Sequence, residues 1–483
     1  MTKKSELPAL IAALLITLGI LGVGGWWVMK NVIGNPSISG RPATETSNDG
    51  GSSSANSATA NNTSTAAAPS NGQSILPSAV SPTKQAGLKA LAERDYATAE
   101  RELTATLAEQ KNDPEALISL SNAKIADGEA YTIAAAIPAN KEFLGPALEI
   151  MRGVAQAQRE INEAGGINGI PLKILIAGDK GAAAESFQTA SELVANETVL
   201  GVVGHYSSDM TLAAAEAYET GQLPVISPTS TAEKISEAGD YVFRTVPSDR
   251  LAAAALARYV LNELNKTKAA VFYTADSAYS RSVRTEFTTE LLSNGGEVIA
   301  DFNVTEAGFS AGQALQDAKG AGAEVIMLAL TEATDSASLQ ILSVNQGELP
   351  AVGGDSLYDF DILDVGREDA IGLTVSVPWH ILSYQQTPFV QASQVLWGAA
   401  VNWRTVTAYD ATVTLAAAIS QGGPTRQGIV EALSQSGFTV DGATNTVKFF
   451  PSGDRNQPSQ LVTVTKKDGP GISGTGYDYE PKP

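Results

Sequence analysis

The sequence predicts an α/β protein built from two doubly wound parallel-sheet lobes, with a hinge and a cleft between them. Strands and helices alternate in two successive sets, and each set needs a sheet of its own. Two further elements precede the lobes. An uncharged apolar run near the N-terminus predicts a transmembrane helix, and a helical pattern after it predicts a short α-helical segment.

Composition narrows the possible functions. The chain has 483 residues, a formal net charge of −20 and no cysteine. The negative charge argues against nucleic-acid binding, which needs clustered Lys and Arg. The lack of cysteine excludes disulfides, thiolate metal sites and a lipidated N-terminal cysteine. Because His205 and His380 are the only histidines, a histidine metal site is not expected, and no cofactor is predicted.

Residues 1–34 are predicted to anchor the chain. Residues 7–29 carry no charge and are long enough to cross a bilayer as a helix, at about 1.5 Å per residue. Lys3 and Lys4 precede this run, which favours a cytoplasmic N-terminus and export of the rest. The bulk is then expected in the periplasm or extracytoplasmic space, anchored to the inner membrane. A cleaved signal peptide is the alternative, although no Ala-x-Ala follows the run.

Residues 35–82 are predicted to form a disordered linker, because Ser, Asn and Ala bury too little apolar surface to offset ordering. Residues 83–128 have a helical pattern that resembles a tetratricopeptide repeat. The resemblance rests on Gly87, Tyr96, Ala99, Leu103 and Pro114. Helices are predicted at 83–93, at 97–110 and from Pro114. A single repeat must pack on the lobes, on another copy or on a partner protein. A plain helical spacer is the alternative.

Residues 129–475 hold the two predicted lobes, and 476–483 form a predicted tail. The first lobe covers about 131–247 and 378–452, and the second about 248–377 and 453–475. Strands of the first lobe are predicted at 131–137, 172–177, 199–203 and 224–227. Strands of the second are predicted at 269–273, 297–304, 324–330 and 351–353. Three crossings between the lobes, which define a hinge, are predicted at 241–249, 373–380 and 450–458.

The predicted site is organised around residues 201–231. The pattern of this stretch predicts a strand, a loop, a helix, a second strand and a second loop, with Ser207 or Ser208 capping the helix. A helix N-terminus offers free N–H groups and the positive end of its dipole to a carboxylate. The loop 228–231 would lie beside it, because neighbouring parallel strands end at the edge where open α/β sheets bind ligands.

Four stretches resemble the type I periplasmic binding proteins, and within that family the leucine/isoleucine/valine-binding branch. They are residues 159–174, 202–231, 241–249 and 408–411. The resemblance runs from about Tyr131 to the C-terminus. It implies a solute-binding protein and not an enzyme.

The resemblance also implies how an α-amino acid would be held. Ser208 matches a serine that binds the ligand carboxylate, and Thr231 a threonine that contacts both carboxylate and amine. Thr229 matches a residue whose carbonyl accepts from the ammonium. Tyr279 matches a tyrosine that closes over the ligand, and Asp355 an acid that pairs with the ammonium. Ser208 would also fit as a plain helix cap, and Asp355 as the start of a loop.

Three further positions, Leu144, Tyr206 and Thr331, lie near the ligand side chain in the family. Thr331 stands where the family has an aromatic residue, so the resemblance implies a different specificity. Asp209 and Glu332 lie close by in the sequence. They would favour a polar or cationic ligand if they faced it, but they are expected to be solvated.

Residues 308–312 match the G-x-S-x-G pattern of serine hydrolases. Ser310 fits better as a helix cap, because 305–307 separate it from the preceding strand and the hydrolase elbow needs an immediate turn. A hydrolase that uses His380 with Asp359 or Asp361 is therefore a remote alternative.

The main hypothesis is an extracytoplasmic solute-binding protein that presents an amino acid to the membrane permease of an ABC transporter. The alternative is a membrane-anchored ligand sensor or scaffold without transport. The helical segment favours the alternative, because a simple transport receptor does not need a surface for a further protein partner.

Overall fold

A computed structural model of the chain describes residues 72–482. The predicted anchor and most of the predicted linker lie outside these residues, so the anchor stays a prediction from the sequence. Among the helices between residues 72 and 482, none has the length and apolar character needed to span a bilayer.

The helical segment consists of three capped helices. They are α1 (Pro82–Ala92), α2 (Tyr96–Glu109) and α3 (Pro114–Ile125). Their N-caps are Ser81, Asp95 and Asp113, each of which accepts a backbone N–H from the first turn. Leu88, Leu103 and Leu120 are buried between the helices. Leu117 and Ile118 on α3 belong instead to the core of the lobes, so the segment packs on the main body.

The end of the predicted linker is ordered, which corrects its boundary at residue 82. The carboxylate of Glu115 accepts hydrogen bonds from the Ser74 hydroxyl at 2.5 Å and from the Ile75 N–H at 2.7 Å. Leu76 is buried in the main core. Residues 72–81 therefore have partners that a free linker lacks.

The first lobe is a five-stranded parallel sheet in the order β2-β1-β3-β4-β5. Its elements are β1 (Tyr131–Ile137), α4 (Leu144–Glu163), β2 (Leu172–Gly178), α5 (Ala183–Ala195), β3 (Val199–Val203), α6 (Ser208–Thr220), β4 (Val225–Ser227) and β5 (Val242–Arg244). The central strands are almost entirely apolar and buried, as parallel strands covered on both faces must be. Strand β5 lies inside the predicted first crossing and was not predicted as a strand.

The second lobe begins after β5 and adds a second parallel sheet. Its elements are α7 (Asp249–Arg258), β6 (Lys268–Tyr273), α8 (Ala278–Ser293), β7 (Glu297–Asn303), α9 (Ala311–Gly320), β8 (Val325–Ala329), α10 (Asp335–Asn345), β9 (Ala351–Gly353), α11 (Phe360–Asp364) and β10 (Thr374–Val377). The two predicted strand sets are thus observed as two separate sheets, and the two-lobed α/β fold is confirmed.

The chain then returns to the first lobe. It forms α12 (Pro388–Trp397), α13 (Trp403–Gly422), α14 (Arg426–Leu433) and a short hairpin of β11 (Val440–Asp441) and β12 (Thr446–Val447). Helix α13 packs closely on α4. A side chain at Gly153 would place its Cβ 2.2 Å from the Thr405 carbonyl oxygen, so this contact requires glycine.

The last two strands complete the second sheet and correct the predicted tail at 476–483. Strands β13 (Gln460–Lys466) and β14 (Tyr477–Pro481) are antiparallel, and the sheet order is β14-β13-β10-β9-β8-β6-β7. β14 covers the edge of β13, which would otherwise expose unpaired backbone groups. The second sheet is therefore mixed and not wholly parallel.

Side chains tie the three crossings together. The Arg244 Nε donates to Asp454 Oδ1 at 2.6 Å, which joins the first crossing to the third. The Gln457 side chain donates to the Pro378 carbonyl at 3.0 Å, which joins the third crossing to the second. These bonds hold the strands of the hinge side by side.

Candidate functional site

A cavity of about 390 Å³ lies between the two lobes. Most of its lining residues follow the carboxyl ends of parallel strands, where the sequence predicts a site. Its lining residues are Phe143, Gly181, Ala183, Tyr206, Ser207, Ser208, Asp209, Met210, Thr229, Thr274, Asp276, Ser277, Tyr279, Thr305, Thr331, Glu332, Ala333, Thr334, Asp355, Ser356, Trp403 and Arg404.

The structure brings six of the eight predicted ligand-binding residues to this cavity. They are Tyr206, Ser208, Thr229, Tyr279, Thr331 and Asp355. Leu144 does not line it and packs, half-buried, against the core. Thr231 is buried behind the lining, and its hydroxyl has no hydrogen-bond partner among the described residues. The ligand-binding roles themselves remain predictions.

The first-lobe wall is built around the start of α6. Ser207 is the cap, since its Oγ accepts the Met210 N–H at 3.2 Å, and Ser208 is the first helical residue. The Ser208 Oγ accepts the Ala232 N–H at 3.2 Å and so connects α6 to the loop after β4. The Thr229 hydroxyl donates to the Tyr206 carbonyl at 2.5 Å. The two polar loops are thereby held side by side at the helix N-terminus.

The second-lobe wall presents a buried acid. The Tyr279 hydroxyl donates to Asp355 Oδ1 at 2.7 Å, and burial raises the pKa of Asp355. Asp355 forms no salt bridge with any lysine or arginine between residues 72 and 482. A group that supplies positive charge would therefore be favoured beside it.

Sequence reasoning did not identify Asp249 as part of the site. It starts α7 at the end of the first crossing and is 1 % exposed, but it does not line the cavity. Burial, followed by the charge of Asp355, raises the pKa of Asp249 to about 8. The aspartate was visible at the end of the stretch 241–249, yet only the fold shows that it is close to Asp355.

Asp209 and Glu332 are not solvated, which corrects the expectation from sequence. Asp209, on α6, accepts the Ala278 N–H at 2.9 Å and the Ser277 hydroxyl at 3.3 Å, at the start of α8 in the other lobe. Glu332, in the second lobe, accepts from the Tyr206 hydroxyl and from Arg404 Nη2 in the first. Both carboxylates therefore bridge the two lobes at the cavity.

Arg404 and Trp403 were also missed. They start α13, and the Arg404 guanidinium lies over the Trp403 ring at 4.5 Å from its centroid. Burial opposes the charge of Arg404, but the charges of Glu332, Asp359 and Asp355 together with Tyr206 outweigh burial and raise the pKa of the arginine. The only sequence signal is their position after the second crossing, where the chain re-enters the first lobe.

The residues of the hydrolase alternative lie apart. The Ser310 Oγ accepts the Gln313 N–H at 3.4 Å as the cap of α9, and neither Ser310 nor His380 lines the cavity. His205 is fully buried between Asp179 and Tyr218, at 2.6 and 2.8 Å. Between residues 72 and 482, no group of three or more His, Asp or Glu side chains is arranged to hold a metal ion.

Two α/β lobes, three crossings and a polar cavity at the strand ends define a two-lobed ligand-binding protein. Comparison with known proteins agrees with this class. A family model described as "Periplasmic binding protein" matches residues 145–470, about two-thirds of the chain. The chain therefore belongs to the periplasmic binding protein family, a non-enzymatic family of solute-binding proteins, and this confirms the family predicted from the sequence.

Matches to individual relatives cover different shares of the chain. An amino acid binding protein of Pseudomonas aeruginosa is 34 % identical over 127 residues, which are 26 % of this chain and 34 % of the relative. The match thus spans about a third of that relative. The Leu/Ile/Val-binding protein homolog 3 of Brucella melitensis is 24 % identical over 316 residues, 64 % of this chain and 84 % of the relative.

A solved structure shows the same fold. It is an ABC transporter substrate-binding protein from Desulfitobacterium hafniense in complex with Leu. Its TM-score is 0.62 at 24 % identity, and the match covers 73 % of this chain and 100 % of that chain.

Proposed function

We propose that this protein binds an α-amino acid between its lobes. The observation that carries the proposal is the placement of complementary groups on opposite walls of one cavity. Ser208 and the start of α6 offer hydrogen-bond donors on the first lobe, and Asp355 offers a buried acceptor on the second. A zwitterion needs donors for its carboxylate and an anion for its ammonium, and charge-assisted hydrogen bonds are the strong ones.

Ligand binding and closure are coupled in this proposal. A ligand held by both walls stabilises the closed arrangement, because it loses one set of contacts when the lobes separate. The interlobe bonds of Asp209 and Glu332 add to the same state. The closed protein then presents the amino acid to the permease of an ABC transporter.

The proposed location is the outer face of the inner membrane, with residues 1–34 as the anchor. Retention in the membrane pellet after a high-salt wash, followed by release in detergent, tests this location. Recovery of soluble protein that begins beyond residue 34 would overturn it.

A sensor or scaffold is a second candidate, favoured by one observation. The helical segment, α4 and α12 enclose a surface groove of about 830 Å³, lined in part by Leu107, Leu120 and Val395. Transport of a small ligand does not require this groove. Val395→Asp, a change at an exposed residue of this groove, should abolish uptake only if the groove serves the permease, so uptake by the variant separates the two candidates.

A thermal-shift screen of the full-length protein against the common L-amino acids tests the proposed binding. A true ligand at 100 times its Kd adds roughly 2.7 kcal/mol to the free energy of unfolding. The amine-free analogue of each hit, with the same side chain and carboxylate, is the matched control. Equal stabilisation by ligand and analogue would overturn the amino-acid assignment.

A further inference from the structure

One wall of the cavity consists of an ion pair supplied by both lobes. Glu332 lies in the turn Glu332–Thr334 after β8, and Arg404 lies in the first turn of α13. Both side chains are more than nine-tenths buried, and both also line a second cavity of about 350 Å³. The pair therefore separates two cavities, and its polar atoms border the space that the proposed ligand would fill.

The pair retains unused hydrogen-bonding capacity. Each nitrogen at the end of the arginine carries two N–H groups. Nη2 gives one to Glu332, and Nη1 gives one to the Tyr358 carbonyl at 3.4 Å. Each Glu332 oxygen accepts one bond, from Arg404 and Tyr206 respectively, although a carboxylate oxygen can accept about two. The wall thus has both donors and acceptors to spare, and its net charge is zero.

These properties discriminate among ligand side chains. A second carboxylate or ammonium would be attracted by one member of the pair and repelled by the other, so a neutral pair does not offset the cost of burying either charge. An aliphatic end would cover the pair without hydrogen bonds, and buried polar groups left without partners are costly. A carboxamide carries a carbonyl acceptor and two N–H donors on adjacent atoms, which match Arg404 and Glu332 together.

The residues beside this ion pair suit an uncharged stretch of the ligand side chain, which leads to its polar end. The rings of Phe143 and Tyr206 are 5.3 Å apart, and Trp403 lies on the same side of the cavity as Arg404. Aromatic faces pack against methylene groups and exclude water from the bonds beyond them.

We propose that Glu332 and Arg404 select α-amino acids whose side chains end in a carboxamide, with L-glutamine and L-asparagine as the probes. This inference rests on the proposed function, since it assigns the far end of the same ligand.

Calorimetric titration of the full-length protein with L-glutamine, L-asparagine, L-glutamate, L-lysine and L-leucine tests the inference. The wild type should bind a carboxamide at least tenfold more tightly than the other three. Glu332→Gln leaves Arg404 uncompensated, so the affinity for L-glutamate should rise at least tenfold relative to L-glutamine. Arg404→Gln leaves Glu332 uncompensated, so L-lysine should gain in the same way. Opposite shifts in the two variants support the proposal.

The double variant Glu332→Gln, Arg404→Gln keeps the shape of the pair without its charges, and neither charged ligand should gain in it. It also keeps the test valid if a single variant folds poorly. The exposed Glu348→Gln, which breaks a surface pair with Lys319, is the control and should leave the ranking unchanged. Tighter binding of L-leucine than of either carboxamide by the wild type would overturn the inference while preserving amino-acid binding. Failure to bind any α-amino acid would overturn the proposed function as well.

Discussion

Two pairs of buried carboxylates in this protein differ in whether a cation forms a salt bridge with them. In the helical segment, Lys84 Nζ lies 2.9 Å from carboxylate oxygens of both Asp113 and Glu115. In the cleft, Asp249 and Asp355 are equally buried but form no salt bridge with any described lysine or arginine. Arg244 lowers the pKa of Asp249 and Arg404 lowers that of Asp355, yet each guanidinium is paired with another carboxylate, Asp454 and Glu332 respectively.

The difference appears in the direction of the pKa shifts. Burial alone would lower the pKa of Lys84, but the charges of Glu115 and Asp113 and the hydrogen bonds to them together outweigh burial and raise it. In the cleft, burial raises the pKa of both aspartates, and the hydrogen bonds and arginine charges that oppose it do not outweigh it. Because an unpaired buried charge is expensive, the first pair is complete in the folded chain. The second pair has no cation bonded to it, and the ammonium of the proposed ligand would supply one.

The largest expected effect follows from removing the cation of the complete pair. Lys84→Met should lower the free energy of unfolding by about 3–5 kcal/mol, because it leaves two buried carboxylates without a cation. Urea unfolding measures this loss. Ligand affinity should stay unchanged, since Lys84 does not line the cavity.

Lys89→Met is the matched control on the same helix. Its ammonium lies 3.8 Å from Glu93, and both side chains are more than 60 % exposed, so the change in stability should be within about 0.5 kcal/mol. If both variants lose the same stability, burial of the Lys84 cluster does not have the importance assigned to it.

The next effect concerns binding. Asp355→Asn should weaken amino-acid binding by about 2–5 kcal/mol, which is roughly 30-fold to several thousand-fold in Kd, because the ligand ammonium loses its buried partner. Isothermal titration calorimetry on wild type and variant measures the ratio. The folded protein should remain stable, since the substitution removes a carboxylate that has no cation.

Asp364→Asn serves as the control, because this acid is exposed and pairs only with Arg367 at the surface. Binding by Asp355→Asn within threefold of wild type would show that the ammonium is held elsewhere. The comparison between the two carboxylate pairs would then lose its functional meaning.

The sequence predicted the fold because its strands are short apolar runs, such as 131–137 and 199–203, and these are buried on both faces. It also predicted the cavity wall around Ser208, because one βα unit and the loop of the next strand suffice to build it. These features depend on residues that are neighbours in the chain or in adjacent strands.

Contacts between residues that are far apart in the sequence could not be predicted in this way. Asp209 and Glu332 look like surface acids in their own loops, and only closure places them against the other lobe. Asp249 is 106 positions from Asp355, and no local pattern relates them. The strand β14 was missed because the long loop 467–476 separates it from its pairing partner, β13, so the two do not form a short hairpin in the sequence.

The smallest effect, measured over one pH unit, is a pH dependence that arises from Asp249. With a pKa of about 8 in the folded protein, this acid holds a proton at neutral pH, whereas in the unfolded chain it titrates near its ordinary value of about 3.9. Between these values the native state binds more protons, so Asp249 lowers stability as pH rises from about 4 to 8, by up to about 1.4 kcal/mol per pH unit.

An ammonium ligand should reverse this protonation and thereby reveal the site. Because a nearby cation favours the ionised acid, binding at pH 7 should release about one proton, and affinity should rise up to about tenfold per unit from pH 6 to 8. Calorimetry in two buffers of different ionisation enthalpy counts the released protons.

Asp249→Asn should abolish both the proton release and the pH dependence of affinity. Asp335→Asn is the control, because burial also raises the pKa of Asp335 to about 8 but Asp355 is not among the charges that shift it. This control should alter the pH dependence of stability and leave that of binding intact. Proton release that persists in Asp249→Asn would assign the linkage to another acid, and its absence from the wild type would mean that the ligand brings no cation to the aspartate pair.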